Sequence, residues 1–395
     1  MKAGIITFHF PYNCGAVLQC VALQTVLEDF DCEVQVINYR PWYHQNRYIP
    51  RKNPVYYGLK CTAPKYEGDI MLKRIYRGVR GFAGTVRSWK NYKSVLPKHE
   101  KFEGFIKKTL HETKVYRTVK KLQKNAPDCD LYISGSDQLW NAKITEGVID
   151  PAYLMDFGKD SAGRITYAVG VDFSALTYPK EDLKPYLKRL DAISMREKEC
   201  YGQIQELVGD DVYLHVDVDP TLLLDASEYE KHICKDVLEK EPFILTYTMP
   251  NETQAKVYNA AKILGEKLGI KVIDVCGDPK TANKKVEDNR ICGPDEFLWY
   301  MKNASYVITN SFHGTAFSVI FRKQFVSIPH TMTGYRVREV LEKVGLGNQW
   351  VNTGLEAVDK IQEKIDFTET EIRIKELQAD SKAYLKMCIE KYGNK

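Results

Sequence analysis

No apolar stretch of the 395-residue chain is long enough to cross a bilayer, which argues against a helical membrane protein. The first residues, Met1-Lys2-Ala3-Gly4-Ile5-Ile6-Thr7, enter a predicted strand with no apolar leader segment. A signal peptide is therefore not expected, and a cytoplasmic location is. Cysteine motifs are missing as well. Ten cysteines are scattered along the chain, none in a CxxC pair, and no His/Cys cluster has zinc spacing. We expect no structural metal and no disulfide framework, with most cysteines buried as small hydrophobes. G-x-G-x-x-G is absent, so no dinucleotide site announces itself. Helix-turn-helix, zinc-finger and RNP-like signatures are absent too, which weighs against nucleic acid. At 44% hydrophobic and 28% charged residues, the chain is too apolar to be disordered. Its length favours two domains over one.

Acidic residues are scarce in one segment. From Arg47 to Lys124 there are 21 Lys or Arg against five Asp or Glu, a surplus of 16, which leaves the remainder of this +5 chain at −11. Aromatic residues including Trp42, Tyr48, Tyr56, Tyr66, Tyr76 and Trp89 are interleaved with these cations. The block reads as an inserted, mostly helical lobe. It suits an anionic partner or membrane surface, and it equally suits solvated amphipathic helices.

Alternating strand and helix signals fill the rest. Gly4–Phe8 reads as a strand, residues 15 to 29 as a helix and Val34–Tyr39 as the next strand, a mononucleotide-type βαβ opening. Asn13 and Gly15 lie in its loop and are candidates for cradling an anion. Asp130–Ile133 predicts a strand that ends in Gly135-Ser136-Asp137-Gln138-Leu139-Trp140-Asn141. A polar crevice there, with Asp137, Gln138 and Asn141 beside the Trp140 ring, would hold a sugar. The other reading is a capped turn with Trp140 buried behind it. Arg196 follows the short strand Ala192–Met195 and could grip an anion bidentately, or pair with Glu197 or another acid. Phe243–Tyr247 opens a second βαβ series. Within it Val307–Thr309 empties through Asn310-Ser311-Phe312-His313-Gly314-Thr315 into a helix, placing His313 at a strand-to-helix junction that favours anions. A capped helix with an incidental histidine is the plain alternative.

These segments resemble the polysaccharide pyruvyltransferase family. The resemblance rests on Tyr12-Asn13-Cys14-Gly15-Ala16-Val17-Leu18-Gln19, Gly135–Asn141, Ile193-Ser194-Met195-Arg196-Glu197, Asp219-Pro220-Thr221-Leu222-Leu223, Thr309–Ser318 and Gly334-Tyr335-Arg336-Val337-Arg338. It implies an α/β, GT-B-like fold of two Rossmann-type domains facing a central cleft, with a C-terminal helix packing back on the first. The expected domains are 1–178, carrying the basic insertion at about 42–124, a donor-binding 179–355, and a returning helical segment 356–395. The implied activity is transfer of a pyruvyl unit from phosphoenolpyruvate, the donor substrate, to a sugar of a bacterial surface glycan or its lipid-linked precursor, with no cofactor or metal. Arg196, Ser311, His313, Gly314 and Thr315 would bind the donor, with His313, Arg196 and Asp137 catalytic. Asn13, Gly15, Gln138, Trp140 and Asn141 would stand on the acceptor side. Histidine, with a pKa of about 6.5, suits either a proton donor or a phosphate ligand. The sequence Tyr167-Ala168-Val169-Gly170-Val171-Asp172 departs from the family's usual small-residue ending and leaves the acceptor open. A nucleotide-sugar glycosyltransferase on the same architecture is the alternative. A nucleic-acid-binding or scaffold protein ranks below both. Peripheral contact with the inner face of the membrane is an expectation attached to the basic block.

Overall fold

In a computed structural model of the protein, the described residues are 1–41, 92–145, 149–173, 178–275, 288–330 and 334–393, with 71–73, 75, 76, 79, 147 and 176 besides. Half of the basic block, including every aromatic named above except Tyr76, lies outside them. The chain divides into two compact units. The first comprises Met1–Tyr12, Ala16–Pro220 and Asp380–Lys395; the second comprises Asn13–Gly15 and Thr221–Ala379.

The first unit is built on an eight-stranded sheet. Its strands are β1 (Lys2–Ile6), β2 (Glu33–Val36), β3 (Leu131–Ser134), β4 (Asp137–Trp140), β5 (Gly163–Thr166), β6 (Val169–Val171), β7 (Ala192–Met195) and β8 (Tyr213–Val216). They run in the order β2-β1-β3-β5-β7-β6-β4, with β8 also on β7, and all pairings are parallel. Helices cover the sheet, so strands such as Leu131–Ser134 and Ala192–Met195 are buried at every residue and read as unbroken apolar runs. Helix α1 (Cys14–Asp29) is apolar on nearly all sides and almost wholly buried. Helix α2 (Tyr92–Thr109) follows, and residues beyond it bridge to the edge of β2 through Glu112 and Tyr116. That stretch of the expected lobe thus belongs to the sheet layer.

The second unit has a five-stranded parallel sheet ordered β11-β10-β9-β12-β13, from β9 (Phe243–Tyr247), β10 (Lys271–Asp274), β11 (Asp288–Asn289), β12 (Tyr306–Thr309) and β13 (Gln324–Ser327). Helices α3 (Tyr201–Val208) in the first unit and α4 (Gln254–Leu268), α5 (Pro294–Asn303), α6 (Phe312–Ile320) and α7 (Tyr335–Lys343) in the second complete the layers. Val257, Ala260, Ala261 and Leu264 of α4 pack on Ile244, Ile308 and Val326, the stripe that the helical spacing predicts. Both units are Rossmann-type α/β layers, as the resemblance implies.

Two expected boundaries shift. The first unit runs to Pro220 rather than 178, because β7 inserts between β5 and β6 and β8 pairs with β7. The last helix, α8 (Thr368–Tyr392), is a single helix that belongs to the second unit through Ala379 and to the first from Asp380. Its end is fixed within the first unit. The Tyr384 hydroxyl donates to Thr166 O at 3.0 Å and the Val218 N–H donates to Ser381 Oγ at 3.2 Å. Eight described cysteines are free, and seven of them are buried. No described helix is long and apolar enough to cross a membrane.

The same docking carries a pH-sensitive contact. The His215 ring stacks on Tyr384 at 5.2 Å and on Tyr213 at 6.2 Å, ion-pairs with Asp217 at 3.1 Å, and lies 3.7 Å from Asp380. Its bond to Asp217 holds the His215 pKa above the ordinary value, against the effect of burial. The stabilisation is therefore complete below the unfolded pKa of about 6.5 and fades as pH rises through the higher folded value. His215→Gln should lower the melting temperature clearly at about pH 5.5 and little at about pH 9. An equal loss at both would contradict this assignment.

Candidate active site

Parallel sheets bind ligands at the carboxyl ends of their strands, and here those ends carry most of the buried polar side chains of both units. In the first unit Arg196, directly after β7, is 5% exposed. Its Nε donates to Glu197 at 2.8 Å and Nη1 donates to Asp219 at 2.8 Å. Burial opposes the charge, but Glu197, Asp219 and Asp137 outweigh it and hold the guanidinium pKa above its ordinary value. Ser136 Oγ reaches Ala168 O at 2.7 Å and Asp219 at 3.3 Å. The Ser136 N–H donates to Gln19 Oε1 at 3.0 Å, and Gln19 Nε2 donates to Thr7 Oγ1 at 3.0 Å, so α1 is keyed to the tips of β1 and β3. Asp137 stands at the edge of this network, half-buried, with φ of 76° and Oδ1 accepting from the Gln138 N–H at 2.8 Å.

Several expectations change at this tip. Trp140 is core: its ring is 3% exposed and its Nε1 donates to Tyr153 O at 3.2 Å. It offers no face to a sugar, because an indole on a strand buried on both sides goes where its area is covered. Asn141 is spent on structure, accepting from Lys143 N–H and donating to Gln138. Arg196 belongs to the same sheet as Asp137 and Gln138, not to a donor domain with His313. Its Nε and Nη1 are engaged by two carboxylates, the acid pairing that stood as the alternative to an anion grip.

In the second unit β12 empties into α6 as predicted. Ser311 is the N-cap, accepting from the Gly314 N–H at 3.4 Å. His313 is 8% exposed, edge-on to Phe312 at 5.2 Å. Asn13 and Gly15 belong to this unit, whereas Gln138, Trp140 and Asn141 belong to the first. The Tyr247 hydroxyl donates to Asn13 Oδ1 at 3.3 Å, and a Cβ on Gly15 would lie 2.0 Å from the His313 ring. Gly15 is therefore the surface against which the imidazole rests. Gly314 and Thr315 turn inward. A Cβ on Gly314 would meet Thr309 Oγ1 at 2.2 Å, and Thr315 Oγ1 bonds Ser311 O at 3.0 Å and Ser327 at 2.7 Å. Both shape the helix start and neither presents a side chain to a ligand.

Asn310 was not singled out from sequence. Its Oδ1 accepts from the Met249 N–H at 2.7 Å, while Nδ2 donates to Met249 O at 2.9 Å and Asn251 Oδ1 at 3.0 Å. It ties the tips of β9 and β12 together immediately before the cap of α6. A polar residue directly after an apolar strand was the available signal, but its partner segment, Met249–Thr253, is 57 to 61 residues away. A cleft of about 550 Å³ opens at the other end of α6, beside Phe321, Phe367 and Ile374, and shares none of these strand-tip residues. Among the described residues no group of three His, Cys, Asp or Glu is placed to hold a metal ion.

A family model described as polysaccharide pyruvyl transferase matches residues 13–331. No curated protein matches the chain. Among solved structures, UDP-GlcNAc 2-epimerase from Neisseria meningitidis bound to UDP-GlcNAc is 10% identical, with a TM-score of 0.49 over 99% of this chain and 100% of that one. A putative UDP-N-acetylglucosamine 2-epimerase from Listeria monocytogenes is 10% identical, with a TM-score of 0.49 over 98% and 97%. Similarity at this level carries no statement about activity.

Two variants test the geometry. Arg196→Ala leaves Glu197 and Asp219 buried without their cation and should cost about 3–5 kcal/mol in urea unfolding. Arg196→Lys, which lacks the fork, should recover only part. Asn310→Ala orphans both backbone groups of Met249 and should cost about 2–3 kcal/mol. Near-wild-type unfolding of either alanine variant would remove that residue from the scaffold.

Proposed function

The chain belongs to the polysaccharide pyruvyl transferase family and is an enzyme of the transferase type, and we propose that it moves the pyruvyl unit of phosphoenolpyruvate onto a saccharide as a cyclic ketal. The observation that carries this reading is the buried histidine at the start of α6, the helix that follows β12. The first turn of α6 contains no acidic residue, whereas α5 neutralises its own start with Asp295 and Glu296. The positive end of the α6 dipole is thus left for a phosphate or carboxylate.

In the proposed reaction a proton is added to the methylene carbon of phosphoenolpyruvate, which becomes a methyl group, and positive charge develops at the carbon bearing phosphate. A saccharide hydroxyl attacks that carbon and loses its proton. A second hydroxyl of the same sugar then attacks, phosphate leaves with the C–O bond electrons and takes up that hydroxyl's proton, and the ring closes. His313 is assigned the proton donation. Asp137 is assigned the acceptor-side base, since Glu197 and Asp219 are engaged by Arg196 whereas Asp137 is half-buried at the edge of the network.

The test is phosphate release from phosphoenolpyruvate by the purified protein, with a panel of glycans and lipid-linked saccharides as acceptors and nucleotide sugars assayed in parallel. Release that requires a glycan is expected. Turnover of a nucleotide sugar, with none of phosphoenolpyruvate, would transfer the reading to glycosyl transfer. His313→Ala should lower turnover about 10²–10⁴-fold and leave the dissociation constant for phosphoenolpyruvate nearly unchanged. A variant that binds donor weakly and turns over normally at saturation would make His313 a phosphate ligand.

A further inference from the structure

Among the described residues, large apolar side chains crowd together on the surface at one place. Met71, Leu72, Ile75, Tyr76 and Val79 are between 56% and 78% exposed, and each of them is helical. Elsewhere exposed apolar residues such as Val237, Leu355 and Ile372 stand singly in the sequence, which is ordinary for a surface. At about 100° per residue the five share one arc of about 140°, the width of a face that a helix normally buries. Here that face is turned to solvent.

The sequence of the same stretch carries one sign of charge. Lys73, Arg74, Arg77 and Arg80 are interleaved with the five, and no Asp or Glu occurs from Met71 to Arg80. On the same helical period the positions of all four cations fall outside the apolar arc. Lys73 is exposed, like the apolar five. The surrounding stretch from Arg47 to Lys124 adds its surplus of 16 positive charges, which draws an anionic surface in before contact is made. These features together choose the partner. A protein surface would need a broad apolar patch rimmed by acids on every side. A bilayer containing anionic lipid offers an apolar layer and a negative layer one side chain apart, so an apolar arc can enter it while Lys and Arg reach back to the headgroups.

We infer that this face is a membrane-docking surface, which lays Met71, Leu72, Ile75, Tyr76 and Val79 into the boundary between headgroups and acyl chains of an anionic phospholipid bilayer. None of these residues is assigned a part in pyruvyl transfer, so the inference stands or falls apart from that reading. The test is co-sedimentation of the full chain with vesicles of phosphatidylcholine alone and of phosphatidylcholine mixed with phosphatidylglycerol. The wild type should partition to the anionic vesicles, less so as salt is raised, and only weakly to the neutral ones. Met71→Gln combined with Ile75→Gln, which keeps good helix formers, should lower the anionic partition coefficient about 10-fold. Lys73→Gln should lower it about fivefold and leave partitioning to neutral vesicles unchanged. Neither variant should alter the melting temperature of the free protein, because the replaced side chains face solvent. The inference is overturned if the wild type does not sediment with anionic vesicles or sediments equally with both kinds. It is overturned too if the double variant partitions as the wild type does, since charge alone would then account for binding. A double variant that melts several degrees lower would assign the face to the protein's own packing. A wild-type dimer that the double variant abolishes would assign it to a second copy of the chain, and either result overturns the membrane.

Discussion

Parallel strands buried on both faces leave polar side chains only one place to go, which is the strand ends. Thr7, Ser136, Arg196 and Asp219 meet that requirement in the first unit, and Thr309, Asn310 and Ser311 meet it in the second. Because these ends are themselves buried, each group must be satisfied by another. Thr7 is bonded through Gln19 to Ser136, Ser136 to Asp219, and Asp219 to Arg196, a continuous chain of contacts across four strand tips. The groups that could do chemistry are thus the groups that hold the sheet ends in register. Substitutions here act on folding and on chemistry together, and the two must be measured separately.

How far the sequence disclosed this depends on the range of the interaction. Helix α1 falls within one residue of its predicted span, and α6 begins at the junction expected after Val307–Thr309, because apolar spacing and caps are local. His313 at the head of α6 was legible for the same reason. The membership of β7 and β8 was not. Their strand character is local, but the sheet they join is set by pairing with β5, β6 and each other across the chain. Arg196 consequently falls in the first unit rather than the second. Trp140 shows the same limit in another form. Asp137, Gln138 and Asn141 around it suggest a polar loop, but the indole belongs to a strand whose burial on both faces is decided by β6 and by the segment that carries Tyr153.

A resemblance and a register answer different questions. Matching motifs name the residues that recur, among them Asp137, Arg196 and His313, but they do not say which of them carry charge that a ligand can use. Pairing geometry does. It pairs Nε and Nη1 of Arg196 with Glu197 and Asp219, and it leaves Asp137 half-buried at the margin.

The two units consequently end in opposite fields. Around Arg196 stand the carboxylates of Glu197, Asp219 and Asp137, three acids to one cation. At α6 there is no acid in the first turn, and the cap is a serine that takes one N–H without adding charge. A phosphate placed there meets a partial positive charge and an imidazole that can carry a whole one. The difference arises within each unit separately: in the first from acids that follow the strand ends, in the second from a helix whose first turn carries none.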